Sequence, residues 1–259
     1  MIGSVIGDLV GSTYEFKPTK DYNFEFMPNG SEITDDSIMS LAIAEAIMCN
    51  QPYAERMRHW GRKYPNPKGA YGGSFNAWLA SPTPQPYNSF GNGSAMRVGA
   101  IGWAFNSLEE VQMEAYKSAE CTHNHTEGIK GAVATATAIF MARKRYSKEE
   151  IKQKIEQQFS YDLSFTLDEI RPTYRFNESC METVPQAIKC YIESKDFEDA
   201  VRLAVSLGGD ADTLGCITGG IAEAGYGTEN MPTEFMRAAL MALPADLHDI
   251  LIKFYQRFV

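Results

Sequence analysis

Two short acidic stretches carry most of the chemistry available to this sequence of 259 residues. Leu207-Gly208-Gly209-Asp210-Ala211-Asp212-Thr213-Leu214-Gly215 sets two carboxylates and a hydroxyl between glycines, just ahead of an apolar helical run. Thr34-Asp35-Asp36-Ser37 offers the same groups far away in the chain, again where a helix begins. Thr34, Asp35, Asp36, Asp210, Asp212 and Thr213 are all hard oxygen donors, which suit Mg²⁺, Mn²⁺ or Ca²⁺ and disfavour Zn²⁺. Their four carboxylates can neutralise two divalent ions. Each acidic pair heads a helix whose body reads as buried, so the carboxylates face an interior cleft where like charges without a cation are expensive. Two ions about 3.5–4 Å apart would let such a site hold a substrate oxygen and activate a water together. Taken alone, each stretch is also a plain helix cap. The metal reading therefore depends on the two halves meeting in space.

Three further places hold candidate groups. Glu15 closes an apolar first segment, Ile2 to Phe16, and either points from the helix end into a neighbouring site or is solvated. Asn88-Ser89-Phe90-Gly91-Asn92-Gly93-Ser94-Ala95-Met96-Arg97 combines glycines and small side chains ahead of an apolar helix, Val98 to Phe105. Such a segment presents backbone N–H groups to an anion and could cradle a phosphate or pyrophosphate; it equally fits a tight turn. No strand precedes it, so it is not a Walker or Rossmann loop. Cys121-Thr122-His123-Asn124-His125 has no second cluster of matching softness, which argues against zinc. A histidine beside a helix start that hydrogen-bonds or stacks on a ligand fits better, with a structural histidine as the alternative.

The elements that must position these groups read as helices throughout. No run shows sustained period-2 alternation, and the pattern predicts an all-α, compact multi-helix bundle in one domain, residues 1–259. Gly3, Gly7 and Gly11 fall four apart and so share a helix face that permits close packing. Leu214 to Ala224, rich in small residues, reads as a close-packed central helix. Ile38 to Met48 is apolar nearly all round and reads as buried. Further helices are expected over 53–63, 71–79, 128–145, 151–159, 181–193, 200–207, 234–243 and 244–258. Ser107-Leu108-Glu109-Glu110 and Ser147-Lys148-Glu149-Glu150 are capping boxes, and 161–177 reads as an irregular rim.

The whole chain bounds the partners. A formal charge of -9 and a pI near 5.0, with no basic block, give no nucleic-acid signal. Five scattered cysteines without a C-x-x-C pair fit free thiols in a reducing compartment. The apolar start lacks a basic n-region and is interrupted by Asp8, and no apolar run is long enough to span a bilayer. The expectation is a soluble, cytoplasmic protein without a membrane partner, and a monomer.

Five pieces in order along the chain resemble the ADP-ribosylglycohydrolase family, the group including dinitrogenase-reductase-activating glycohydrolase and the ADP-ribosyl-acceptor hydrolases. They are Gly7-Asp8-Leu9-Val10-Gly11-Ser12-Thr13-Tyr14-Glu15, Thr34-Asp35-Asp36-Ser37, Gly91-Asn92-Gly93-Ser94-Ala95-Met96-Arg97, Thr122-His123-Asn124-His125 and Gly208-Gly209-Asp210-Ala211-Asp212-Thr213. Ser37 stands where threonine is common, and Thr126 where related bacterial sequences often carry proline. The resemblance implies a binuclear Mg²⁺ or Mn²⁺ site held by Thr34, Asp35, Asp36, Asp210, Asp212 and Thr213. It implies that Asn92, Gly93, Ser94 and neighbours including Met96 contact a diphosphate, that His123 lies near the ADP-ribose, and that Glu15 contacts the substrate ribose or a water on the metals. The expected activity is hydrolysis of the glycosidic bond between ADP-ribose and an acceptor, most often arginine, with Glu15 or one of Asp35, Asp36, Asp210 and Asp212 relaying the proton. The substrate would be an ADP-ribosylated protein or a small molecule containing ADP-ribose. A non-catalytic ADP-ribose or nucleotide sensor and a metal-dependent phosphohydrolase are the alternatives.

Overall fold

A computed structural model describes residues 1–259 as helices joined by short loops, with two isolated β-bridges and no sheet. In chain order the helices are α1 Ile2–Gly11, α2 Asp35–Cys49, α3 Tyr53–Lys63, α4 Gly73–Ala80, α5 Gly93–Met96, α6 Gly99–Ala104, α7 Leu108–Glu120 and α8 Thr126–Arg143. They continue as α9 Lys148–Phe159, α10 Leu167–Ile170, α11 Cys180–Glu193, α12 Phe197–Val205, α13 Ala211–Tyr226, α14 Thr233–Ala242 and α15 Ala245–Phe258. The all-α expectation holds.

Helices α1 and α13 form the centre. They run in opposite directions with Gly3, Gly7 and Gly11 against Gly219, Gly215 and Ala211. A Cβ on Gly7 would overlap the Gly215 carbonyl, and one on Gly215 would overlap the Gly7 carbonyl, so the backbones touch with no side chain between them. That approach is what the four-residue glycine spacing is for. Around this pair, α13 also meets α8, α11 and α12, while α2 packs on α3 and α15. One apolar cluster runs from Met1 to Phe254, so the first and last helices share a core.

The central pair has two chemically different ends. At one, Glu223 is fully buried and accepts from the Met1 amino group, from the Gly3 amide at 2.7 Å and from the Tyr255 hydroxyl. At the other, the C-terminus of α1 and the N-terminus of α13 bring Asp8 and Asp212 into one buried region.

Local signals explain most boundaries. The capping boxes of α7 and α9 form as expected, with Ser107 and Glu110, and Ser147 and Glu150, each bonded both ways. Several helix bounds shift by two or three residues, as in α9 from Lys148 rather than 151 and α12 from Phe197 rather than 200, and three larger differences stand beside them. Helix α1 stops at Gly11 rather than Phe16, because the Tyr14 amide closes a tight turn on the Gly11 carbonyl at 2.7 Å and redirects Glu15. The 161–177 rim contains α10, started by a third capping box, Thr166 with Glu169. The 88–97 segment contains the single turn α5 before α6 begins.

Candidate active site

The two acidic stretches meet. Thr213 Oγ1 lies 3.4 Å from Asp36 Oδ2, and Thr34 Oγ1 lies 3.2 Å from the same oxygen, so Asp36 links the N-terminus of α2 to that of α13. Carboxylate oxygens of Glu15, Asp210 and Asp212 all fall within 4.8 Å of one another. These acids face a cleft of about 490 Å³ whose lining includes Glu15, Asp35, Asp36, Asp210, Asp212 and Thr213. The same lining includes Gly91, Asn92, Gly93, Met96 and His123, and Asn92 adjoins the acids through Asp210.

Each acid is placed by its helix. Thr34 caps α2 by accepting from the Asp36 amide at 3.2 Å, which turns Asp35 and Asp36 into the first helical turn, where carboxylates suit the macrodipole. Asp210 precedes α13, and its Oδ2 accepts from Asn92 Nδ2 at 2.6 Å. Gly69, at φ +79, closes over Glu15: a Cβ there would lie 2.8 Å from Glu15 Oε2.

Burial raises all these carboxyls. Glu15 is pushed up to about 8, first by burial and then by the charges of Asp212, Asp8 and Glu178. Asp210 rises to about 6 through burial, with its hydrogen bonds opposing the shift. Asp35, Asp36 and Asp212 stand well above the ordinary carboxylate range, through burial and then the charges of their acidic neighbours. Asp36 Oδ1 and Glu15 Oε2 are buried without a hydrogen-bond partner. An all-oxygen, anionic donor set with orphaned lone pairs fits hard divalent cations, which would supply the missing positive charge.

The other expected contacts divide. Gly93, Met96 and His123 line the cleft as anticipated. Asn92 also lines it, but its side chain is already committed to Asp210 and to Thr183 Oγ1, at 3.1 Å. Ser94 does not reach the cleft: it is fully buried and its hydroxyl donates to the Gly128 carbonyl at 2.7 Å. Thr34 lies beneath the surface, where Oγ1 donates to Asp8 Oδ1 at 2.8 Å.

Asp8 is the functional residue that sequence reasoning missed. Fully buried, it accepts from the Thr34 amide at 3.0 Å, from Thr34 Oγ1, from the Ser37 amide at 3.1 Å and from Ser37 Oγ. It thereby ties the start of α2 to α1. Burial pushes its carboxyl up to about 6 against those hydrogen bonds. The available signal was a lone carboxylate inside an otherwise apolar helix, which must find partners. Glu178, Tyr71 and Arg97 also line the cleft and carried no assigned role.

Known proteins are similar to this chain over most of its length. Human ADP-ribosylhydrolase ARH3 is 27% identical, across 92% of this chain and 87% of its own length. ADP-ribosylarginine hydrolase Tri1 of Pseudomonas putida is 25% identical, across 91% of this chain and 72% of its own. A solved structure described as an ADP-ribosylglycohydrolase-related protein complex superposes with a TM-score of 0.73 at 24% identity, covering 98% of this chain and 95% of that one, and so shares the fold. The family model for ADP-ribosylglycohydrolase matches residues 1–258, and the chain belongs to that family.

Proposed function

We propose that the protein hydrolyses the bond between the distal ribose of ADP-ribose and an arginine side chain of a modified protein. The carrying observation is the convergence of Glu15, Asp36, Asp210 and Asp212 in one cleft that the Gly91–Gly93 turn and His123 also line. Thr34, Asp35, Asp36, Asp210, Asp212 and Thr213 would hold two Mg²⁺ or Mn²⁺ ions. Bound there, the ions supply Lewis-acid polarisation and charge compensation.

The chain's own groups do the rest. The acids take the distal ribose and the turn takes the diphosphate, which together fix the anomeric carbon beside the acids. Glu15, half-buried at the mouth, has an unpartnered Oε2 and is the group placed to move a proton. Water adds its oxygen to the anomeric carbon as the C–N bond to the guanidine breaks, and Glu15 takes the water proton and returns it to the leaving nitrogen. A cationic, planar leaving group also suits the rim. Phe16 and Phe176 are exposed with ring centroids 6.1 Å apart, and the Glu178 carboxylate lines the same mouth. Similarity to the ADP-ribosylarginine hydrolase Tri1 supports the arginine reading.

The test is product analysis with targets ADP-ribosylated on arginine, on serine and on nucleic acid, in Mg²⁺, Mn²⁺ or EDTA. Free ADP-ribose from the arginine target, lost in EDTA, is expected. AMP as product would make the protein a phosphohydrolase, and tight binding without turnover would make it a sensor.

A further inference from the structure

The lining of the cleft contains one guanidinium, Arg97, and its surroundings are unusual. The side chain is 1% exposed, yet it meets no carboxylate. Its Nη2 donates to the Ser118 carbonyl at 2.8 Å and to Thr122 Oγ1 at 2.9 Å, while its Nε has no partner. Thr122 Oγ1 in turn lies 2.7 Å from His123 Nδ1.

The direction of this chain follows from the chemistry of its members. A guanidinium only donates, so one lone pair of the Thr122 oxygen is taken by Arg97. The Thr122 hydroxyl is fully buried, and the strong acceptor for its single proton is His123 Nδ1 at 2.7 Å, the Cys121 sulfur nearby being a weak one. Nδ1 therefore accepts, and in the neutral ring the proton sits on Nε2. Burial and the Arg97 charge both hold the imidazole well below its ordinary pKa, which keeps it neutral.

The free edge faces the other side. A Cβ on Gly93 would lie 3.4 Å from His123 Nε2, and one on Gly91 3.6 Å, so Nε2 looks onto the glycine turn that lines the cleft. The ring is steadied by the His123 amide, which donates to the Ala119 carbonyl at 2.8 Å, and by Tyr87, whose ring centroid is 5.9 Å away.

We propose that Arg97 is a positioning residue which, through Thr122, locks His123 as a neutral Nε2–H donor aimed at the phosphate oxygens of the nucleotide. The assignment of the ligand rests on the ADP-ribose reading above; the tautomer does not. The cleft then offers acids to the ribose and the relayed N–H of a buried cation to the phosphates. Histidine here binds and orients and does not exchange protons with the substrate.

The test joins a spectroscopic and a binding arm. Long-range ¹H–¹⁵N spectra of histidine-labelled protein, with the His123 signals assigned by their loss in His123→Gln, should show a protonated Nε2 and a bare Nδ1 from pH 6 to 8. Thr122→Val, nearly equal in volume, should release the single tautomer and weaken ADP-ribose binding about tenfold by calorimetry. Thr122→Ser should restore both, which a purely structural role of the threonine methyl would not do. A wild-type ring protonated on Nδ1, or unchanged affinity in a folded Thr122→Val, overturns the relay. If wild-type protein binds no ADP-ribose, the functional reading fails together with the ligand assignment, while the spectra still decide the tautomer.

Discussion

The two ends of the α1–α13 pair bury carboxylates in opposite ways. Glu223 is enclosed with a cation and two further donors, so its burial is compensated within the chain. Glu15, Asp36, Asp210 and Asp212 are gathered at the other end with orphaned oxygens and raised pKa values. A buried acid with its partners built in is a strut. A set of buried acids that keeps oxygens unpartnered, here Glu15 Oε2 and Asp36 Oδ1, with no basic side chain paired to them, fits a site whose charge is completed from outside. Asp8 lies between these cases: it is as buried as Glu223, yet it spends its oxygens on holding Thr34 and Ser37, and so serves the site by fixing its geometry.

The sharpest way to break this contrast is to remove one charge from each end. Asp212→Asn should lower kcat/KM for ADP-ribosylarginine about 10³-fold, the several kcal/mol that a site of this kind supplies. In EDTA the same variant should melt no lower than wild type, because it loses a repulsion. Glu223→Gln should do the reverse, costing about 3–5 kcal/mol in chemical denaturation by leaving a buried cation unpaired. Its kcat/KM below the transition should stay within about twofold. If Glu223→Gln abolished activity in folded protein, the division into strut and site would fall.

Asp8→Asn tests the intermediate case. It should lower metal affinity about 10–100-fold, as loss of a supporting contact does, and cost about 1–3 kcal/mol from unsatisfied donors. Titration calorimetry with Mn²⁺ reads the first and denaturation the second; an effect on stability alone would make Asp8 a second Glu223.

The smallest expected effect is on pH dependence. Because the folded-state values are raised, these carboxyls favour the folded protein fully below the ordinary carboxylate range. They lose that contribution as pH rises through about 6 for Asp210 and about 8 for Glu15. Chelated protein should therefore melt a few degrees lower at pH 8.5 than at pH 6, with the gap closed by saturating Mg²⁺ or Mn²⁺. Equal midpoints in EDTA at both pH values would mean that the acids are compensated after all.

Much of this was legible residue by residue. The period of the apolar positions and the absence of alternation announced helices, and the Ser107 and Ser147 boxes form as read, although the helix after Ser147 begins at Lys148 rather than at 151. Gly3, Gly7 and Gly11 announced a face for close packing and the small residues of 214–224 a central helix, while their pairing with each other came from the fold. Ser94 shows where local pattern misleads: a serine in a glycine turn looks like an anion ligand, but the packing of α5 on α8 turned its hydroxyl to Gly128. The α1 boundary was misjudged for a similar reason, since Ser12 to Phe16 has acceptable helix formers and the turn there is made by tertiary contacts such as Glu32 amide to Ser12 Oγ at 3.2 Å.

By itself, then, the chain's order of residues determined the helical class, the two acidic N-termini and the donor chemistry, because these depend on side-chain type and on spacing along one helix. Only the tertiary structure decided that Asp36 and Thr213 would lie 3.4 Å apart across 177 residues, and that Asp8 would spend its carboxylate on Thr34 and Ser37. It also decided that His123 would face the glycine turn with Arg97 behind it. Those are relations between distant segments, set by how α1 and α13 pack backbone to backbone, and no local spacing encodes them.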